Sequence, residues 1–303
     1  METNKVRGCL TAAGVLLALV LATPAAAQGR GNAFGKGRQV PISPTVTTPD
    51  SSSSSGAGIG IRQFGTWLDD ATLGDPGTGW VAMSLGSYFS PVGHQTDFPV
   101  LDGAYGLTRK VQFGATVPYS RFSAADGGGT ASGRGDVYLS AKVGLFDDTA
   151  KSGMALAITP LVEILSNPDP VDGGRFSWAL PVSTEVRMKN FRLYGSGGYF
   201  SRGAVFGGGA VEVPATDRLV ATTALVWTRS LVADPVADGL GLGKSRVDIT
   251  CGAAYALNSS FAVFGSVGRT LSRIDANSAT MVLSTGLALS FAGRSPTPPS
   301  RPR

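Results

Sequence analysis

Cysteine and histidine are almost absent: Cys9, Cys251 and His94 are the whole supply in 303 residues, and only 16% of the chain is charged. Each scarcity excludes a class. Cys9 falls in an N-terminal leader, so export leaves Cys251 alone and no disulfide framework holds the mature chain. There is no G-x-S-x-G, no H-E-x-x-H and no cysteine pair. A histidine base needs a nucleophile and an orienting group at fixed positions, and nothing is arranged around His94, Gln95 and Thr96, which read as solvated loop. Gly243-Lys244-Ser245 matches only the end of a phosphate-binding loop, with Asp238 where the first glycine belongs. No catalytic residue, metal ligand set or cofactor is therefore expected, and the chain does not read as an enzyme. Arg134-Gly135-Asp136 and Asn258-Ser259-Ser260 read as a strand start and a turn rather than as adhesion and glycosylation signals.

A long apolar run is missing as well. After Ala22 nothing approaches the ~20 apolar residues of a membrane-spanning helix, yet the mean hydropathy is +0.13. The apolarity is spread thinly along the chain. The net charge of +5 comes from singly scattered Lys and Arg, with no basic stripe interleaved with aromatics, so no nucleic-acid partner is expected.

What is present begins with Lys5 and Arg7, an apolar stretch from Cys9 to Ala22, and Ala25-Ala26-Ala27-Gln28, the pattern of a cleaved secretory signal over 1–27. Residues 28–79 are rich in Gly, Pro and Ser and read as a flexible periplasmic arm, in which 61–73, with Phe64, Trp67 and Leu68, has the apolar residues to dock. Residues 292–303 form a Pro- and Arg-rich tail.

Between them, over 80–291, apolar and small or polar residues alternate with period two. Val137, Leu139, Ala141 and Val143 fall on one face of a segment whose other face carries Asp136, Tyr138, Ser140 and Lys142. About twelve such segments recur, with the pleat ambiguous at Gly207-Gly208-Gly209. Long polar connections are expected around 90–97, 122–133, 166–174, 230–245 and 269–277, and tight turns at 108–109, 189–190, 214–217 and 258–259. Short turns on one side and long loops on the other are the habit of outer-membrane β-barrels. Aromatics fall into two girdles: Phe89, Tyr119, Phe176, Trp178, Tyr199 and Trp227 near the outer ends, and Trp80, Tyr105, Phe113, Phe146, Phe191, Tyr255, Phe261 and Phe291 near the inner ends. The expected fold is all-β, an antiparallel transmembrane up-and-down barrel of about twelve strands, seated in outer-membrane lipid by the outer-membrane assembly machinery. A soluble sandwich is the alternative that alternation alone leaves open.

The pleat puts Asp102, Gln112, Asp136, Lys142, Glu163, Glu185, Arg187, Arg192, Arg246 and Asp248 in the lumen. Two readings stand: opposite signs pair and brace the wall, or the residues line a pore or solute site.

The block Asp102 to Phe122, with Gly106-Leu107-Thr108 and Pro118, followed by Gly135-Asp136 at the next strand start, resembles the outer-membrane proteins of the meta-pathway phenol-degradation family. The resemblance spans about 78–291 and implies handling of aromatic compounds. One departure is the tail of twelve residues after Phe291, where such barrels end at a terminal aromatic. The expected function is passive uptake or binding of small, hydrophobic or aromatic solutes; a non-transporting structural or interaction barrel is the alternative, and a barrel hydrolase the third. Replacing His94 by Ala should leave folding, read from gel mobility, and solute passage unchanged. Loss of an activity on that substitution would revive the hydrolase.

Overall fold

A set of alternating strands has two problems: an open sheet leaves a row of unpaired N–H and C=O groups at each edge, and one face is left bare and apolar. The computed structural model answers the first by closure. It describes residues 68–125, 129–148, 152–166, 174–201, 203–232, 243–275 and 278–292; the expected signal, the arm over 28–67 and the tail from 293 lie outside the described residues. The strand segments are β1 (Thr78–Ser90), β2 (Gly93–Thr108), β3 (Val111–Ala124), β4 (Thr130–Arg134), β5 (Val137–Asp148), β6 (Met154–Ile158), β7 (Leu161–Ile164), β8 (Phe176–Arg187), β9 (Arg192–Phe200), β10 (Ala204–Pro214), β11 (Leu219–Ser230), β12 (Ser245–Ala256), β13 (Phe261–Thr270) and β14 (Met281–Ala292). Every pairing is antiparallel, and β1 returns to pair with β14 from Thr78↔Ala292 to Phe89↔Met281.

β4 and β5 are halves of one stave, both paired with β3, and β6 and β7 are halves of the next. The ring is thus a closed antiparallel barrel of twelve staves. Both breaks have a local cause. Pro118 of β3, without an N–H, stands opposite Gly135, whose N–H reaches the Pro118 carbonyl at 2.9 Å. A Cβ at Gly135 would lie 2.8 Å from Pro118 Cγ. At the second break Pro160 again removes a donor, while its carbonyl still accepts from Ala141 N at 3.0 Å.

The second remains visible on the outer face of the ring. Among the described residues no helix is long and apolar enough to cross a membrane, but the outward pleat is a continuous apolar belt. Val81, Met83, Leu101, Leu139, Leu180, Leu225 and Leu287 are all exposed, whereas Tyr138, next to Leu139, is 3% exposed. Both pleats of β5 fall as the alternation predicts. The girdle residues Tyr119, Phe176, Trp178, Tyr199 and Trp227 at one end, and Tyr105, Phe113, Phe146, Tyr255, Phe261 and Phe291 at the other, face outward. Trp80 is a correction: it is 4% exposed and packs inside with Ala82, Ala254, Phe264 and Ala288. Its parity with Ala82 along β1 puts it on the inner pleat.

The expected loops at 90–97 and 122–133 are also corrected. β2 begins at Gly93 and β3 runs to Ala124, so most of those residues are strand. Polar residues do not end a strand that turns them inward, as Gln95, Asp97 and Ser120 are turned here. The strand ends that flank the remaining long connections, 165–175, 231–244 and 271–280, lie at one end of the barrel; the turns 109–110, 188–191, 215–218 and 257–260 lie at the other.

Of the arm expected over 28–79, residues 68–77 are described, and they are packed rather than free. Asp69, Asp70 and Ala71 are buried. This strap leaves β1 at the short-turn end and doubles into the barrel. Gly106, the first residue of the Gly-Leu-Thr motif, makes room for it: a Cβ there would lie 2.5 Å from the Asp75 carbonyl oxygen. Gly77 N donates to Gly106 O at 2.8 Å, with Gly77 in the left-handed region at φ 79°.

The pleats give a direct test. Arg in place of Leu139 should cost about 2 to 4 kcal/mol of stability in a bilayer, since the lipid face offers a guanidinium no water. Arg in place of Ser140, one residue on, should be tolerated. Equal effects in urea titrations of vesicle-folded protein would contradict the assigned faces.

Candidate functional site

Where the strap meets the wall, the barrel concentrates its charge. Two strand ends supply most of it. Arg187 closes β8 and Arg192 opens β9, and the register pairs them directly, with Glu185 opposite Tyr194. Lys142 projects inward from β5 and Gln112 from β3, register partners of one another. The strap threads between these groups.

Lys142 Nζ lies 2.8 Å from Asp69 Oδ2 and 3.3 Å from Asp70 Oδ1, and donates to the Asp70 carbonyl at 3.0 Å. Arg192 is held from three sides: Nη2 pairs with Asp70, Nε lies 2.8 Å from Glu185 Oε1, and Nη1 lies 3.3 Å from Glu212 Oε2. Its guanidinium also lies 4.9 Å from the centroid of the Tyr194 ring. Thr72 adds a hydroxyl between the charges, donating to Glu185 Oε2 at 2.6 Å and accepting from Arg187 Nη2 at 2.8 Å. Two backbone N–H groups complete the seat, Gly74 to Gln112 Oε1 at 2.7 Å and Asp69 to Ser196 Oγ at 3.1 Å. Apolar contacts flank the charges, with Leu68 against Tyr194, Ala210 and Ala224, and Leu73 beside Ala71, Ala155 and Ala157.

Burying ions costs several kcal/mol each unless close partners and extra hydrogen bonds offset it. The strap supplies two carboxylates to Lys142 and one of the three that hold Arg192. Removing it strips Lys142 of both its ion pairs with Asp69 and Asp70 and takes one carboxylate from Arg192.

All ten lumen candidates face inward, but they do not form one site. Gln112, Lys142, Glu185, Arg187 and Arg192 converge on the strap. The others sit apart along the wall: Asp102 accepts from Thr116 at 2.8 Å, and Glu163 from Tyr138 Oη at 3.0 Å. Asp136 receives the Ser166 N–H at 2.6 Å, at the break between β4 and β5. Arg246 and Asp248 form their own pair on β12 at 2.7 Å, with Thr270 donating to Asp248 Oδ1 at 2.7 Å.

Four participants escaped the sequence reading. Glu212 follows the glycine run where the pleat is ambiguous, although Val211 and Val213 on either side signal an inward residue. Asp69, Asp70 and Thr72 lie upstream of the first strand; the only available signal was a doublet of acids beside an apolar docking stretch. His94 lies at the other end of the barrel, its ring stacked on Phe89 at 4.4 Å.

Trp80, Asp102, Thr116, Tyr138 and Lys142 line a small pocket in the lumen together with Asp69 of the strap. Beyond it Tyr138, Leu161, Phe200 and Phe206 form an apolar cluster. The arrangement can hold polar groups by charge and flat apolar groups by contact.

No family model matches the chain, and no curated protein matches its sequence. Solved structures do. The NanC porin is similar over 69% of this chain and 98% of its own, at 10% identity and a TM-score of 0.51. The KdgM porin is similar over 69% of this chain and 99% of its own, at 7% identity and a TM-score of 0.49. At such identity the first likeness establishes the fold: this chain has the closed barrel architecture of outer-membrane porins.

Proposed function

We propose that this chain is an outer-membrane barrel that binds small solutes in its lumen and passes them inward, with the strap as the obstruction at the inner end. The observation that carries the reading is the pairing of a closed apolar-belted ring with an interior of charged and aromatic side chains. A chain selected only for a sealed wall has no need of Lys142, Arg192, Glu185 and Glu212 inside it. The likeness to the NanC porin supports the architecture that such passage needs. The long connections face outward in this placement, and the N-terminal leader delivers the chain for export.

Aromatic solutes are the preferred class within this reading. The motifs that resemble the phenol-degradation family support it, and so do the inward rings of Trp80, Tyr138, Phe200 and Phe206. A planar ring gains contact area on such walls, and a carboxylate substituent would find Lys142 and Arg192 once the strap moves. A second reading, a structural barrel that transports nothing, draws on the same strap, which is held by ion pairs and apolar clusters at once.

Conductance separates the two. A charge-assisted hydrogen bond contributes about 1.5 to 3 kcal/mol net, and about 1.4 kcal/mol is tenfold in an equilibrium. Asp69→Asn combined with Asp70→Asn should therefore raise the open fraction in planar bilayers roughly tenfold or more over wild type. Benzoate added to the outer side should then reduce the current by occupying the lumen. A double variant as silent as wild type, with folding intact, would establish the structural barrel instead.

A further inference from the structure

The outward pleat of β3 reads Val111, Phe113, Ala115, Val117, Tyr119, Arg121. Apolar residues give way to an interfacial tyrosine, and the next outward position is an arginine. Arg121 thus stands about 7 Å beyond the aromatic girdle, two residues along the strand. The register places Arg134 of β4 opposite Tyr119 and Ser132 opposite Arg121. Arg134 and Arg121 are therefore diagonal neighbours on one outward face, at the 7 to 8 Å backbone spacing of such pairs or about that. Both are exposed.

Two like charges side by side on a sheet destabilise it unless an anion joins them. Inside the barrel Lys142, Arg187, Arg192 and Arg246 each have a carboxylate partner. Outside, among the described residues, no carboxylate pairs with Arg121 or Arg134. The surrounding outward groups are hydroxyls: Ser132 between the two arginines, then Ser123 and Thr130, 3.3 Å apart, one step further out. On β11 the same order recurs, exposed Trp227 followed by exposed Arg229. A planar fork of donors matches phosphate oxygens, and two forks set on one face with hydroxyls around them can take a single phosphate between them.

We propose that Arg121 and Arg134 form a binding site for the phosphate of an outer-leaflet lipid headgroup, with Tyr119 against the lipid below it. The site rests on the outer-membrane placement argued above, which puts this end of β3 at the headgroups of the outer leaflet. The phosphate is the lipid's own rather than a free ion, because Tyr119 and the exposed Phe98 hold the acyl side of the same molecule at the adjoining level.

The test uses the full mature chain, folded in neutral detergent, with diphosphoryl lipid A as probe and its dephosphorylated form as control, and binding followed by native mass spectrometry. Arg121→Gln with Arg134→Gln should weaken retention of diphosphoryl lipid A roughly tenfold or more. Wild type should retain the dephosphorylated lipid no better than the double variant retains the phosphorylated one, and inorganic phosphate at millimolar level should not displace the lipid. Lys110→Gln, at the opposite end of the barrel, should bind as wild type does. Heat-dependent gel mobility confirms that each variant is folded. Equal retention by wild type and double variant overturns the site, as does an equal loss in Lys110→Gln, which would make it bulk charge. Displacement by free phosphate overturns the lipid assignment. Recovery of the folded chain from the soluble periplasmic fraction would instead overturn the membrane placement, and the site with it; the two failures are read in separate experiments.

Discussion

The seam between β1 and β14 is the constraint from which the rest of the structure follows. In hydrocarbon a backbone N–H or C=O has no water to turn to, so a sheet survives there only when its last strand pairs with its first. Twelve residues of β1 meet twelve of β14 without a register break, from one girdle to the other. Once the ring is closed, the period-two pleat has only two destinations, lipid or lumen. Every inward charge then has to be satisfied by another inward group.

That requirement explains why the polar interior is organised around a segment from outside the ring. The wall alone sets Arg187 and Arg192 beside two acids, Glu185 and Glu212, and leaves Lys142 two staves from β8 and three from β9. Asp69 and Asp70 bridge the gap, one strap joining β5 to β9. In the structure, opposite signs in this part of the lumen pair through the strap rather than directly across the wall.

Much of the ring was legible because it depends on local alternation. Leu139 and Tyr138 differ in environment by a single step of the pleat, and that step is written in the residues. Trp80 shows where residue type misleads: aromaticity suggested a girdle, but its parity with Ala82 decided its face. The ends of β2 and β3 were misread because polarity was taken to mark loops, whereas beyond the apolar belt the strands remain paired while their residues turn polar. The strap was legible only as an apolar stretch able to dock, since the partners that bury Asp70 lie more than seventy residues away in the chain. No local pattern encodes a contact at that distance. Glu212 was missed for a different reason, because the glycines before it carry no pleat signal.

The strap's covalent join to β1 has a consequence for any solute that competes with it. Asp70 is eight residues from Thr78, a tether whose root-mean-square reach when undocked is roughly 15 Å. A short tether of this kind keeps its end at an effective concentration on the order of millimolar. Asp69 and Asp70 therefore act as a resident carboxylate ligand that dilution never removes. Under the proposed function, a solute reaching Lys142 and Arg192 would have to outcompete that ligand either by abundance or by contacts the strap does not make, so that its affinity would be measured against an internal standard carried by the protein itself.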